Sequence, residues 1–202
     1  MNSRGPLGGS TSDAHPGVPL NTQRPPAPST ASTATPVSTA VVVRRARTSD
    51  VPEIKRLVDV YAGRILLEKN LVTLYEAVQE FWVAELDGRV VGCGALHVLW
   101  ADLGEVRTVA VHPDVKGGGV GRLVVEHLIA VARELELRRV FVLTFEVEFF
   151  ARHGFAEIEG TPVTAEVYAE MCRSYDTGVA EFLDLSYVKP NTLGNTRMLL
   201  TL

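Results

Sequence analysis

The chain has 202 residues, 46% of them hydrophobic, with a formal net charge of −4. That is enough for one ordinary domain with a real core plus a surplus segment, and the mildly acidic balance excludes the basic surface by which a domain grips nucleic acid or an anionic membrane. No apolar run approaches the roughly 20 residues of a transmembrane helix.

Residues 1–40 differ from everything that follows. They are rich in Ser, Thr, Pro, Gly and Ala and hold no aromatic residue. Such a segment buries too little surface to offset its ordering entropy, so a disordered low-complexity tail is expected. It lacks the continuous apolar stretch of a secretory signal, and its sparse arginines argue against a transit peptide. The folded domain is expected over residues 41–202.

Val41 to Arg45 reads as a short strand. Asp50-Val51-Pro52-Glu53 has the form of a capping box with Pro in the first helical turn, and predicts a helix to about Tyr61 with Ile54, Leu57, Val58 and Tyr61 on one face, ended by Gly63. A second helical stretch covers Leu71 to Val78. Phe81 to Glu85 and Arg89 to Val98 are strands joined by Asp87-Gly88, a strong hairpin signal. After the strand, loop and helix described next, Val140 to Thr144 is a nearly all-apolar buried strand. Glu148 to Gly154 predicts a helix that hands over to a strand. Thr164 to Tyr175 predicts another helix capped by Thr164, and Phe182 to Val188 and Met198 to Leu202 read as closing strands. Cys93 and Cys172 lack metal-like spacing and read as reduced packing residues of a cytoplasmic protein. His97, His112, His127 and His153 form no metal-spaced set, so no metal is expected; His153 reads as helix-terminal.

The stretch Gly104 to Leu123, GEVRTVAVHPDVKGGGVGRL, organises the rest. It opens as a β-branched strand, breaks at His112-Pro113-Asp114, passes Gly117, Gly118 and Gly119, and enters a helix with apolar Leu123, Val124, Leu128, Ile129 and Val131. A strand, a glycine loop and a helix start aim several backbone N–H groups at one spot, where the helix dipole adds positive potential. The spot suits a phosphate group, and a Cβ there would hold a pyrophosphate off the amides. The Gly-Lys-Ser/Thr ending of a nucleoside triphosphate loop is absent, as is a strand-opening GxGxxG.

The run Lys116-Gly117-Gly118-Gly119-Val120-Gly121 resembles the acetyl-CoA loop of the GNAT family of N-acetyltransferases, Gln/Arg-x-x-Gly-x-Gly/Ala, with Lys116 at the usual Gln or Arg. Phe149-Phe150-x-x-x-Gly154-Phe155 resembles a second family segment, Phe-Tyr-x-x-x-Gly-Phe, beside the CoA thiol. The element order βααβββαβαβ is also that of the family. The resemblance implies an α/β fold with a central mixed, mostly antiparallel sheet flanked by helices. It implies acetyl-CoA as co-substrate, held by Val109, Ala110, Val111, Lys116, Gly117, Gly118, Gly119, Val120, Gly121, Arg122 and Phe150, mainly through main-chain contacts. Phe150 stands where many relatives have the Tyr that protonates the leaving thiolate. Thr144, at the mouth of the preceding strand, is an alternative proton donor, or simply a strand residue.

The family transfers acetyl from a thioester to an amine, and an ammonium must first lose a proton. Glu105 is the base the resemblance implies, and its place in an otherwise apolar strand, where an idle charge is costly, agrees. Backbone N–H groups near Val109 are expected to stabilise the developing oxyanion.

Four runs add a finer likeness: Phe81 to Glu85, Val91 to Leu96, Gly104 to Val111 and Val140 to Thr144. They resemble the acetyltransferase domain of N-acetylglutamate synthases, most closely the short, stand-alone bacterial form. The resemblance implies L-glutamate, or L-glutamine, as acceptor in arginine biosynthesis. Feedback by arginine, carried in long forms by a kinase-like domain, is not implied. A dicarboxylate acceptor asks for fixed cations, and Lys69, Arg107, Lys189 and Arg197 stand where basic contacts are expected; Arg107 shares its strand face with Glu105. The resemblance allows a homodimer, though no interface is legible. Two other readings stand beside this one: an acetyltransferase for protein N-termini or lysines, and a non-enzymatic acyl-CoA sensor. The segment Glu157 to Thr177 is expected to close the acceptor face, favouring a small acceptor, and a sensor would need no base at Glu105.

Overall fold

The computed structural model describes residues 40–185 and 194–202; the expected tail and the strand residues 186–188 lie outside them. Seven strands form one sheet in the order β1-β2-β3-β4-β5-β7-β6. These are β1 Val42–Arg45, β2 Phe81–Leu86, β3 Arg89–Trp100, β4 Leu103–Val111, β5 Arg139–Thr144, β6 Ala156–Glu157 and β7 Thr196–Thr201. Only β4 and β5 are parallel; every other pair is antiparallel. The Asp87-Gly88 hairpin forms with both residues at positive φ, as a tight turn between twisted strands requires.

Among the described residues six α-helices cover the sheet: α1 Val51–Tyr61, α2 Leu71–Glu76, α3 Val120–Glu134, α4 Val147–Ala151, α5 Ala165–Met171 and α6 Thr177–Phe182. On one face α3 packs Val124, Leu128 and Ile129 over Ala84, Leu96, Val106, Val140 and Val142. Gly94 makes this approach feasible, since a Cβ there would sit 2.8 Å from Val124 Cγ1. On the other face α1 and α2 set Val51, Ile54, Leu57, Val58 and Leu74 against Phe81, Val83, Cys93 and Ala95. Beside them, α5 and α6 bring Met171, Val179 and Phe182 onto Leu99, Leu103 and Phe141. The seam between these two apolar clusters is where the polar chemistry lies.

Three sequence expectations are corrected. Asp50 does not form a capping box with Glu53; its buried carboxylate takes two bonds from the Arg44 guanidinium and one from the Arg47 N–H, and Glu53 pairs with Arg56 instead. A buried acid satisfied by a bidentate arginine outcompetes a local cap. Phe182 is not the start of a strand but the buried end of α6, because Phe141 and Arg197 draw it into a helical corner. Cys172 is exposed just past α5 rather than packed, while Cys93 is buried and its thiol pushed up to about 12. Thr164 does cap α5, accepting from Val167 N. Among the described residues no helix is long and apolar enough to cross a membrane.

Candidate active site

Strand β4 builds the site by leaving its neighbours. Against β3 it pairs Ala110 with Cys93 and Arg107 with Ala95, so Thr108 and Val109 together oppose Gly94 as a bulge. Thr108 takes φ 58° there, a conformation that a β-branched residue holds only under tertiary constraint. Against β5 it pairs only from Leu103 to Glu105. Beyond Glu105 the two strands part, and the N–H and C=O groups of β4 that would have met β5 face an opening.

A cavity of about 460 Å³ fills the upper part of that opening, lined by Val109, Ala110, Val111, Gly117, Gly119 and Gly121 among others. Gly119 caps α3 at φ 84°, and Gly117 sits at φ 87°, both in the region that favours glycine. Lys116, Arg122 and Arg152 supply positive charge at the cavity wall, which with the α3 N-terminus suits a pyrophosphate. Val120 is buried against Gly92 and serves the core; neither it nor Gly118 lines the cavity. Tyr61 was missed as a wall residue: its hydroxyl donates to Val111 O at 2.6 Å. His153 also lines this cavity, its ring 5.0 Å from that of Phe149, rather than merely ending a helix.

The aromatic pair at residues 149 and 150 is arranged differently from expectation. Phe149 lines the cavity, whereas Phe150 is buried in the core, edge-on to Phe149 and Phe155. Adjacent helical residues point about 100° apart, so only one of the two lines the cavity. Thr144 is likewise directed elsewhere. It shares its strand face with Val142, packed under α3, while its neighbour Leu143 faces the other way, into a smaller cavity. Its hydroxyl accepts the Glu146 N–H at 2.9 Å.

A second, smaller cavity of about 150 Å³ adjoins the first, sharing Ile65. It holds Lys69, Glu105, Arg107, Asp176 and Glu181. Glu105 is 5% exposed, and its Oε2 is buried with no hydrogen-bond partner. Burial drives its carboxyl up to about 7 against the opposing pull of Arg107 and His97, the range of a base that works at neutral pH. Arg107 Nη1 lies 3.9 Å from Glu105 Oε2. The guanidinium is fixed by Asp176 Oδ1 at 2.9 Å and Glu80 Oε2 at 2.9 Å, and Glu80 is held in turn by His97 Nδ1 at 2.8 Å. Burial, then the nearby Arg107, lowers the Lys69 ammonium from its usual value.

The structure therefore brings Lys69, Glu105 and Arg107 together. Arg197 it places elsewhere: its guanidinium donates to the carbonyls of Gly160, Glu181 and Phe182 and lies over the Phe141 ring, so its donors tie α6 to the sheet. Lys189 lies outside the described residues. Glu80, Asp176 and Glu181 escaped the sequence reading because each sits on an element without a motif, and only folding brings them beside β4. Among the described residues no group of His, Cys, Asp and Glu is placed to hold a metal ion.

Splayed parallel strands, a β4 bulge and a glycine loop opening α3 define an acyl-CoA-dependent N-acetyltransferase. Residues 52–155 match the model of the Acetyltransferase (GNAT) family, and the chain belongs to that family. It is 79% identical over 164 residues to an amino-acid acetyltransferase of Mycobacterium tuberculosis, covering 80% of this chain and 94% of that relative. A crystal structure of a Mycobacterium tuberculosis protein in complex with CoA, 79% identical, superposes with a TM-score of 0.78 over 80% of this chain and 99% of the other. N-acetylglutamate synthase from Neisseria gonorrhoeae, complexed with coenzyme A and N-acetyl-glutamate, is 27% identical with a TM-score of 0.65, matched over 81% of this chain and 35% of the longer protein. Acetyl-CoA is thus the co-substrate, and the larger cavity has the glycine-lined, cation-edged form that fits it.

Proposed function

We propose that the protein transfers the acetyl group of acetyl-CoA to the α-amine of L-glutamate, or of L-glutamine, in the first step of arginine biosynthesis. The observation that carries this reading is Glu105, a buried carboxylate raised to about 7, lining one cavity of about 150 Å³ together with Lys69 and Arg107. That volume admits one amino acid rather than a folded peptide segment, and α6 walls it off. The names of the relatives from Mycobacterium tuberculosis and Neisseria gonorrhoeae support the same substrate class.

Acetyl-CoA supplies an activated thioester. Lys69 and Arg107 orient the acceptor by its carboxylate, and Glu105 Oε2, which has no hydrogen-bond partner in the protein, takes a proton from the ammonium. The freed amine then attacks directly, in a ternary complex. The Val109 N–H, on the β4 segment that has left β5, donates to the thioester oxygen as negative charge develops there.

The test is release of CoA thiol by the purified protein with acetyl-CoA, comparing L-glutamate and L-glutamine with other amino acids and a lysine peptide. Selective release with the first two is expected. Release with the lysine peptide alone would replace this reading by a protein acetyltransferase, and tight acetyl-CoA binding without release for any amine would replace it by a sensor.

A further inference from the structure

The acceptor cavity contains an ion pair on the very cation that an acceptor carboxylate would use. Both terminal nitrogens of Arg107 are engaged by the protein, one by Asp176 and one by Glu80. The two carboxylates are not held alike. Glu80 is anchored by His97 and does not line the cavity. Asp176 lines it, its side chain is 32% exposed, and its remaining role is to cap the six-residue α6 by accepting from Val179 N at 3.1 Å. Its neighbours Glu105 and Glu181 also line the cavity, against Lys69 and Arg107. An anionic acceptor entering among these carboxylates is repelled unless one of them withdraws.

We propose that Asp176 is a place-holder for the acceptor carboxylate, competing for Arg107 and exchanged off it when that carboxylate arrives. The inference rests on the reading that Arg107 receives that carboxylate. The exchange forms one arginine–carboxylate pair for the one it breaks. An acceptor without a carboxylate has nothing to put in place of Asp176 and leaves Arg107 closed. Withdrawal of Asp176 also shifts the first turn of α6, where a Cβ on Gly178 would sit 3.0 Å from Glu105 Oε2 and 2.9 Å from Arg107 Nη1. Carboxylate recognition and access to the base become one event.

Asp176→Asn separates charge from cap, because an asparagine side chain still accepts from the Val179 N–H; Asp176→Ser is a second uncharged cap should the first protein be unstable. Acetyl transfer by the full chain is measured with L-glutamine and with L-glutaminamide, which carries no carboxylate. Measured well above pH 7, where Glu105 is ionised in both proteins, the expected result is a kcat/KM for L-glutamine that rises about threefold or more relative to that for the amide, the scale of one half-exposed ion pair. A fall for L-glutamine would make Asp176 an orienting partner of Arg107 and overturn the place-holder. An equal rise for both acceptors would overturn it too, leaving only general electrostatics. If the wild-type chain acetylates no amino acid, the functional reading fails and this inference falls with it; the other outcomes bear on Asp176 alone.

Discussion

Glu105 and Arg107 stand two residues apart on β4 with 3.9 Å between Oε2 and Nη1, beyond hydrogen-bond distance and within strong electrostatic reach. Asp176 and Glu80 pull the guanidinium toward themselves, so it does not neutralise the base. Burial outweighs the cation, and the carboxyl titrates at about 7 instead of its ordinary 4.5.

Glu105 must be ionised to accept a proton, so kcat/KM should rise as pH passes upward through about 7. Glu105→Gln should lower turnover roughly 10²-fold or more, remove that rising limb, and leave the acetyl-CoA Kd unchanged. An unaltered rate would take Glu105 out of the mechanism.

The same shift has a stability consequence of defined sign. The folded-state value lies above the unfolded one, so the folded chain retains a proton that the unfolded chain releases between about 4.5 and 7. That contribution is complete below 4.5 and lost as pH rises through 7. Glu105→Gln, which never ionises, should therefore be more stable than wild type at pH 8, by roughly 3 kcal/mol. Thermal melts of the two proteins should converge as pH is lowered toward 5.

Gly121 and Gly119 should respond differently to alanine. A Cβ on Gly121 would meet Val111 Cγ2 at 3.5 Å and Phe149 Cζ at 3.6 Å, ordinary contacts, while projecting into the cofactor cavity. Gly121→Ala should keep both its melting temperature and its acetyl-CoA affinity, since those contacts are ordinary and the loop pattern admits Gly or Ala there, whereas alanine at Gly119 should weaken acetyl-CoA binding by displacing the amide that opens α3. Gly119→Ala should also cost about 1 kcal/mol of stability, because φ 84° strains any Cβ-bearing residue. Calorimetric titration and melts separate the two.

Arg197→Lys should destabilise the fold by at least about 2 kcal/mol, since an ammonium does not reproduce the fan of donors to Gly160, Glu181 and Phe182. Urea unfolding measures this. A lysine protein of wild-type stability with a raised acceptor KM would return Arg197 to the acceptor site.

A chain beginning at Val41 should retain acetyl transfer, because the composition of residues 1–40 offers no core-forming surface and β1 starts at Val42. A soluble but inactive truncation would overturn that reading.

What the sequence determined by itself is local and periodic. The glycine loop from Gly117 to Gly121 needs its residues in consecutive order, so spacing alone pointed to a phosphate cradle there. Glu105 and Arg107 share a strand face because side chains alternate with period two, and the Asp87-Gly88 turn declared its hairpin. The tertiary structure decided everything that depends on long-range company. Whether Phe149 or Phe150 lines the larger cavity depends on how α4 is rotated against β7. Whether Arg197 meets an acceptor or a helix end depends on α6, whose six residues carry too little periodicity to be read. Glu80 and Asp176 reach Arg107 across sequence separations of 27 and 69 residues. The electrostatics of the base is likewise a tertiary property, because a carboxylate's pKa is set by what excludes water from it and which charges lie nearby; for Glu105 these come from β3, β4 and α6, which no single stretch of chain contains.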